Sequence, residues 1–352
     1  MNLIIIGALP PPRGGVSTHV ERLIPYLRAE DINYVVWDCS KQYKNEEHCI
    51  NLRREPFKLF GVLKKTKDVR VAHCLVSIVS LSRLIFCSFL NFIGIRLTIT
   101  FVGSPKEMIG DSRLKLFYVL LLVRLSRHVV VVNKDFQYIL LREGVPRDKI
   151  SVIPAFIPAM KNELIERPIP KNMADFCSKH KPLIMTYAYG PLMHLNEDLY
   201  GVDLIIELAK KLKGASPRIG FLVVVPEITN KVYFEEIKAS IKKEGLDSLF
   251  CFVIGNQFSF VAFLEHADLF IRPTNTDGDA LTVREALHCG IPCVSSDVCY
   301  RPEGTVLFRS RDIDDLYKVT REVLSKDRDN SSNVQQVNNA KFFIDVFKNA
   351  AV

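Results

Sequence analysis

Short unbroken apolar runs alternate along this chain with longer stretches in which apolar residues recur every three or four positions. Residues 3–6, LIII, are apolar without interruption and of strand length, the mark of a strand buried on both faces. After them Val16, Val20, Leu23, Ile24 and Leu27 fall at helical spacing. The same change of period repeats to the end. Strands are predicted at 33–37, 69–74, 96–101, 128–133, 182–187, 220–225, 250–255, 267–271, 291–296 and 305–308. Helices are predicted at 114–126, 202–212, 234–244, 260–266, from about 281, and at 340–349. Strand and helix in strict alternation predict an α/β protein with parallel, doubly wound sheets.

Two stretches depart from this rhythm. Residues 51–70 hold Arg53, Arg54, Lys58, Lys64, Lys65, Lys67 and Arg70 interleaved with Phe57, Leu59, Phe60, Val62 and Leu63. A helix there is basic and amphipathic, suited either to an anionic membrane surface or simply to water on one side and protein on the other. Residues 75–95 are the most apolar of the chain, but Arg83, four serines and Asn91 interrupt them. A central arginine costs about 3 kcal/mol on insertion scales, so a buried or membrane-dipping helix is expected rather than a span. Pro158, Pro168 and Pro170, with polar residues between them, predict a linker over 158–181.

The 352 residues are enough for two domains, each with its own core. Lys and Arg number 47 against 39 Asp and Glu, and the resulting +8 suits an anionic substrate or membrane surface. No aromatic–basic interleaving of a nucleic-acid module is present, which argues against a nucleic-acid partner. Nine scattered cysteines, and an opening directly on a strand, lead to the expectation of reduced thiols in a cytoplasmic protein. Cys289, Cys293 and Cys299 lack the paired spacing of a zinc site.

Candidate chemistry concentrates in residues 272–297, RPTNTDGDALTVREALHCGIPCVSSD. Asp277 lies in a loop between strand and helix, and Glu285 in the helix that follows. Such a unit brings both acids to the carboxyl edge of the sheet, where open α/β sheets bind ligands. The backbone amides of Leu281 and Thr282, at the helix start, suit a phosphate. Gly278 allows close backbone approach. A second Gly-rich turn, Gly7 to Gly15, links the first strand to the first helix and contains neither G-x-G-x-x-G nor the P-loop lysine.

These residues resemble the donor-site signature of glycosyltransferase family 4: Pro273-Thr274, Asp277-Gly278, Glu285-Ala286, Gly290-Ile291-Pro292 and Ser295-Ser296-Asp297. Gly14-Gly15-Val16 with His19-Val20 is similar to the family's G-G-V-x-x-H-V, and Gly190 and Gly201-Val202-Asp203-Leu204 to its G-R-L and K-G-x-D-L. Residues 135–158 resemble the segment that closes the family's first domain. The departures are specific. Asp277 replaces a glutamate, Val102 a sugar-contacting histidine, and Pro191 and Tyr200 the arginine and lysine that neutralise the diphosphate. Arg13, Arg272, Arg284 and Arg301 are the candidate replacements, Arg272 first, since it ends the strand leading into the signature.

The resemblance implies a GT-B fold, two Rossmann-like domains facing a central cleft. Residues 1–158 would form the acceptor side, 159–337 the donor side, and a terminal helix within 338–352 would return to the first domain. It implies a retaining, metal-independent transfer from a nucleotide diphosphate sugar, UDP-linked hexose or N-acetylhexosamine. Asp277 would hold sugar hydroxyls, Glu285 the ribose, Arg272 the diphosphate; Gly14, Gly15, Gly190 and Gly278 would approach the donor, and Arg13 and His19 the acceptor. With the basic and apolar stretches, it leads to the expectation of a lipid-linked saccharide acceptor at the inner face of the plasma membrane, in bacterial surface polysaccharide synthesis. Rival readings are an epimerase of the same fold, a degenerate transferase that only binds, and a metal held by the D-x-D of Asp277 and Asp279.

Overall fold

The computed structural model describes residues 2–11, 13–52, 69–160, 163, 167–216, 218–326 and 336–352. The basic stretch 53–68 and the polar run 327–333 lie outside the described residues. The chain divides into two compact units, Met1–Ile157 with Val337–Val352, and Pro158–Gln336.

The first unit is built on β1 (Asn2–Gly7), α1 (Gly15–Ala29), β2 (Asn33–Asp38), β3 (Cys49–Asn51), β4 (Val69–Val76), α2 (Leu81–Phe92), β5 (Arg96–Phe101), α3 (Pro105–Met108), α4 (Arg113–Leu125), β6 (Ser126–Val131), α5 (Lys134–Arg142) and β7 (Ile150–Val152). Its strands pair in the order β3-β2-β1-β4-β5-β6-β7, all in parallel. The central strands are buried on both faces, which is why they read as continuous apolar runs. One face carries α2 and α4 over Ile4, Ala72, Cys74, Leu97 and Ile99. The other carries α1 over Leu3, Ile5 and Val71.

The second unit comprises α6 (Lys171–Lys179), β8 (Leu183–Tyr187), a hairpin β9 (Met193–His194) and β10 (Glu197–Asp198), α7 (Val202–Lys213), β11 (Gly220–Val225), α8 (Lys231–Lys243), β12 (Phe250–Ile254), α9 (Phe260–Leu264), β13 (Leu269–Arg272), α10 (Leu281–His288), β14 (Cys293–Ser296), β15 (Thr305–Phe308) and α11 (Ile313–Leu324). Its six-stranded parallel sheet runs β12-β11-β8-β13-β14-β15. The chain then returns to the first unit, where α12 (Ala340–Ala351) seats Phe343, Ile344 and Phe347 in the core beside α1.

Two expectations need correction, and one element was not foreseen. The segment 158–181 is not merely a linker: α6 sits inside it, and Cys177, Met173 and Phe176 join the second core. Its prolines precede the helix rather than break it, which is where a fixed φ is tolerated. Residues 75–95 are not one helix, because β4 runs through Val76 and α2 begins only at Leu81, capped by Ser80. Between Gly190 and Gly201 the chain inserts the β9–β10 hairpin, whose turn residues Leu195 and Asn196 take φ of 52° and 62°.

Candidate donor site in the second unit

The strand β13 ends at Arg272, and the loop after it is held by one carboxylate. Arg272 Nε donates to Asp277 Oδ2 at 3.0 Å and Arg301 Nη1 to the same oxygen at 2.9 Å. The Thr274 hydroxyl donates to it at 3.3 Å, and the Gly278 amide donates to Oδ1 at 3.1 Å. Burial by itself would raise the Asp277 carboxyl; the two guanidiniums together outweigh it and hold it well below the ordinary carboxylate range. Asp277 therefore binds arginines in this structure, instead of standing open for sugar hydroxyls.

The two arginines are not equivalent. Arg301 spends its donors inside the protein: Nε on the Ser296 carbonyl at 3.1 Å, Nη2 on the Thr274 and Ser296 hydroxyls at 3.1 and 3.2 Å. Arg272 donates through Nη1 to the Tyr187 carbonyl at 3.1 Å. Its Nη2 group makes no hydrogen bond within the described residues. The ring of Tyr200 lies 5.3 Å from the Arg272 guanidinium carbon, within cation–π range. Tyr200 stands where the resemblance expects a lysine, so an aromatic support for Arg272 takes that place. Gly201, at φ 70°, is pressed against the Pro273 carbonyl, so the turn into α7 touches the loop after β13. At Gly190 a Cβ would come within 2.8 Å of the Glu227 carbonyl.

The helix α10 begins at Leu281 after Ala280, which offers no side-chain cap, and has no acid in its first turn. The amides of Val283 and Arg284 turn back to the Ala280 carbonyl, at 3.0 and 3.3 Å. The Thr282 hydroxyl is buried with no hydrogen-bond partner among the described residues. A buried hydroxyl at an uncapped helix start favours an acceptor oxygen from outside. Glu285, one turn on, is buried, and its charge adds to burial in pushing the Tyr187 hydroxyl above its usual range. Asp279 takes both of its close contacts from Arg284 Nε, at 2.8 and 2.9 Å. The D-x-D pair is thus divided between separate arginines, and no cluster of three or more metal-ligating side chains occurs among the described residues.

In the first unit the predicted residues serve the fold. Arg13 forms a bidentate pair with Glu21, at 2.5 and 2.7 Å. The Gly14 amide donates to Ser17 Oγ at 2.9 Å, while Gly15 opens α1 with nothing near its missing Cβ. His19 is buried, its Nδ1 donating to the Ala155 carbonyl at 3.0 Å and its ring meeting Phe343 edge-on at 4.6 Å. Burial lowers its pKa to about 4, so it is neutral, and its Nε2 has no hydrogen-bond partner among the described residues. The expectation of His19 as an open acceptor contact does not match this packed setting. Arg301, Thr274 and Ser296 are the residues the sequence did not mark as one network; 24 positions separate Arg301 from Asp277, and no periodicity links them.

Residues 194–341 match the family model of glycosyl transferases group 1. No curated protein matches the chain significantly by sequence. Among solved structures, HepE of Anabaena in complex with UDP-glucose shares 14% identity at a TM-score of 0.71, covering 100% of this chain and 98% of that one. Sucrose-phosphate synthase of Thermosynechococcus elongatus shares 14% at 0.70, covering 100% and 96%. WaaG, a glycosyltransferase involved in lipopolysaccharide biosynthesis, shares 14% at 0.65, covering 99% of each chain. The two parallel-sheet, Rossmann-like units are those of the GT-B fold, and the second unit carries the match to glycosyl transferases group 1.

Proposed function

We propose that this enzyme is a retaining member of family 4 that transfers a UDP-linked hexose or N-acetylhexosamine to a lipid-linked saccharide. The acceptor would belong to bacterial surface polysaccharide synthesis of the O-antigen or capsule kind, at the inner face of the plasma membrane. The observation that carries this reading is the uncapped start of α10, with the orphaned Thr282 hydroxyl, one turn before the buried Glu285. The UDP-glucose complex of HepE and the involvement of WaaG in lipopolysaccharide biosynthesis add support by likeness of fold.

In this reading the diphosphate lies against the Leu281 and Thr282 amides and the Thr282 hydroxyl. Arg272 Nη2 offers the cationic donor that Pro191 and Tyr200 cannot. As the bond from the sugar to the diphosphate breaks, charge gathers on the departing oxygen, and fixed dipoles stabilise it at little reorganisation cost. Glu285 accepts the ribose hydroxyls as a bidentate carboxylate. Asp277 acts one step removed, by aiming Arg272. No metal is needed, because both D-x-D carboxylates already hold arginines.

The test is incubation with labelled nucleotide sugars, with and without chelator. Transfer, or slow donor hydrolysis, that survives chelation supports the proposal. Interconversion of the sugar without acceptor would identify an epimerase instead. Nucleotide binding with no turnover would mark a degenerate transferase, a reading favoured by the loss of the arginine–lysine pair at Pro191 and Tyr200.

A further inference from the structure

In the first unit, α2 and α4 pack side by side, and their inner residues, among them Leu84, Leu90, Val119 and Leu122, enter one core. Their outer faces are apolar as well. Leu81, Ile85 and Phe92 lie within about 40° of one another around α2 at 100° per residue. Ile85 is 62% and Phe92 89% exposed. Beside them α4 exposes Leu114 at 60% and Phe117 at 56%. A helix of a water-facing domain ordinarily turns polar on this side, and isolated exposed apolar residues are common, but a two-helix run of them marks an interaction surface.

The charge around this surface decides its partner. Neither helix carries an acid: α2 holds Arg83, and α4 holds Arg113, Lys115 and Arg124. A second copy would set cations against cations across a two-fold contact, which disfavours self-pairing. Anionic headgroups over an acyl layer complement both features at once.

We propose that the outer face of α2 and α4 rests on an anionic lipid bilayer, with Ile85, Phe92, Leu114 and Phe117 in the headgroup layer. Its purpose rests on the lipid-linked acceptor proposed above, although its geometry does not. No helix among the described residues is long and apolar enough to cross a membrane, so the contact is interfacial.

The experiment is sedimentation of the full chain with phosphatidylglycerol vesicles and with phosphatidylcholine vesicles. Wild type should bind the first and not the second, and bind more weakly as salt rises. Ile85→Asp, Phe92→Asp and Phe117→Asp should each weaken binding about tenfold or more, with unchanged melting temperature and nucleotide affinity. Phe92→Trp supplies an independent readout, since its emission should shift to the blue on vesicle addition while Trp37 stays buried. Equal binding by all the variants, or no binding by wild type, would overturn the proposal. So would a wild-type dimer in light scattering that these substitutions dissociate. Vesicle binding without nucleotide binding would sink the transferase reading and leave this surface standing; the converse would do the opposite.

Discussion

Arg272 and Arg301 converge on one oxygen of Asp277, at 3.0 and 2.9 Å, although Arg272 ends β13 and Arg301 follows β14. Their roles differ, because Arg301 is consumed by Ser296 and Thr274 while Arg272 keeps an amino group to spare. In the proposed reaction Asp277 is therefore a positioning residue.

Asp277→Asn should leave two buried guanidiniums facing a neutral amide. We expect a loss of about 3 kcal/mol in stability, the scale for breaking a buried pair from one side. Turnover should fall at least about a hundredfold as Arg272 loses its aim. Because the folded carboxyl is held below its unfolded value of about 3.9, its contribution is full above that pH and lost as pH falls toward the folded value. The wild-type minus variant difference in denaturant midpoints should thus be flat from pH 8 to 5 and shrink below about pH 4.

Thr282→Val keeps shape and removes a hydroxyl that has no hydrogen-bond partner among the described residues. Stability should be unchanged or rise by up to about 1 kcal/mol, since an unsatisfied buried donor costs about that much. Donor affinity should fall about fivefold to tenfold. Glu285→Ala should weaken nucleotide binding by about tenfold or more. Calorimetric titration with UDP on both variants, beside thermal melts, checks these directions; wild-type affinity in both would contradict the donor assignment.

The buried histidines give the first unit a pH signature. Burial lowers His19 to about 4, and burial with the nearby His19 lowers His73 to about 3. The unfolded chain takes up these protons near pH 6.5 and the folded one does not. Stability from them is full above about pH 6.5 and lost as pH falls toward 4, at about 1.4 kcal/mol per pH unit for each histidine. Melting curves at pH 7.5 and 5.5 should show this slope, and His19→Gln should reduce it by one proton.

Much of this architecture was readable in advance. The central strands of both sheets announced themselves because burial on two faces leaves no room for polar alternation. The placing of Asp277 before α10 and of Glu285 within it was readable because both lie in one contiguous segment. The Arg301 contact was not, since it forms only when β14 and the loop after it bring residue 301 back to residue 277. Nor was the β9–β10 hairpin, whose strands have two residues each and no apolar alternation. The outer face of α2 was hidden for a different reason: its residues fit a buried and a membrane-dipping helix alike, and only the fold shows which of them are exposed.

The path of the chain has a consequence for synthesis. Residues 158–336 are contiguous, whereas the unit that begins first is completed only when α12 arrives. During translation the later unit can thus be finished before the earlier one. Until then the surface at His73, on which Phe343 and Phe347 pack, stands uncovered, a natural holding point for chaperones.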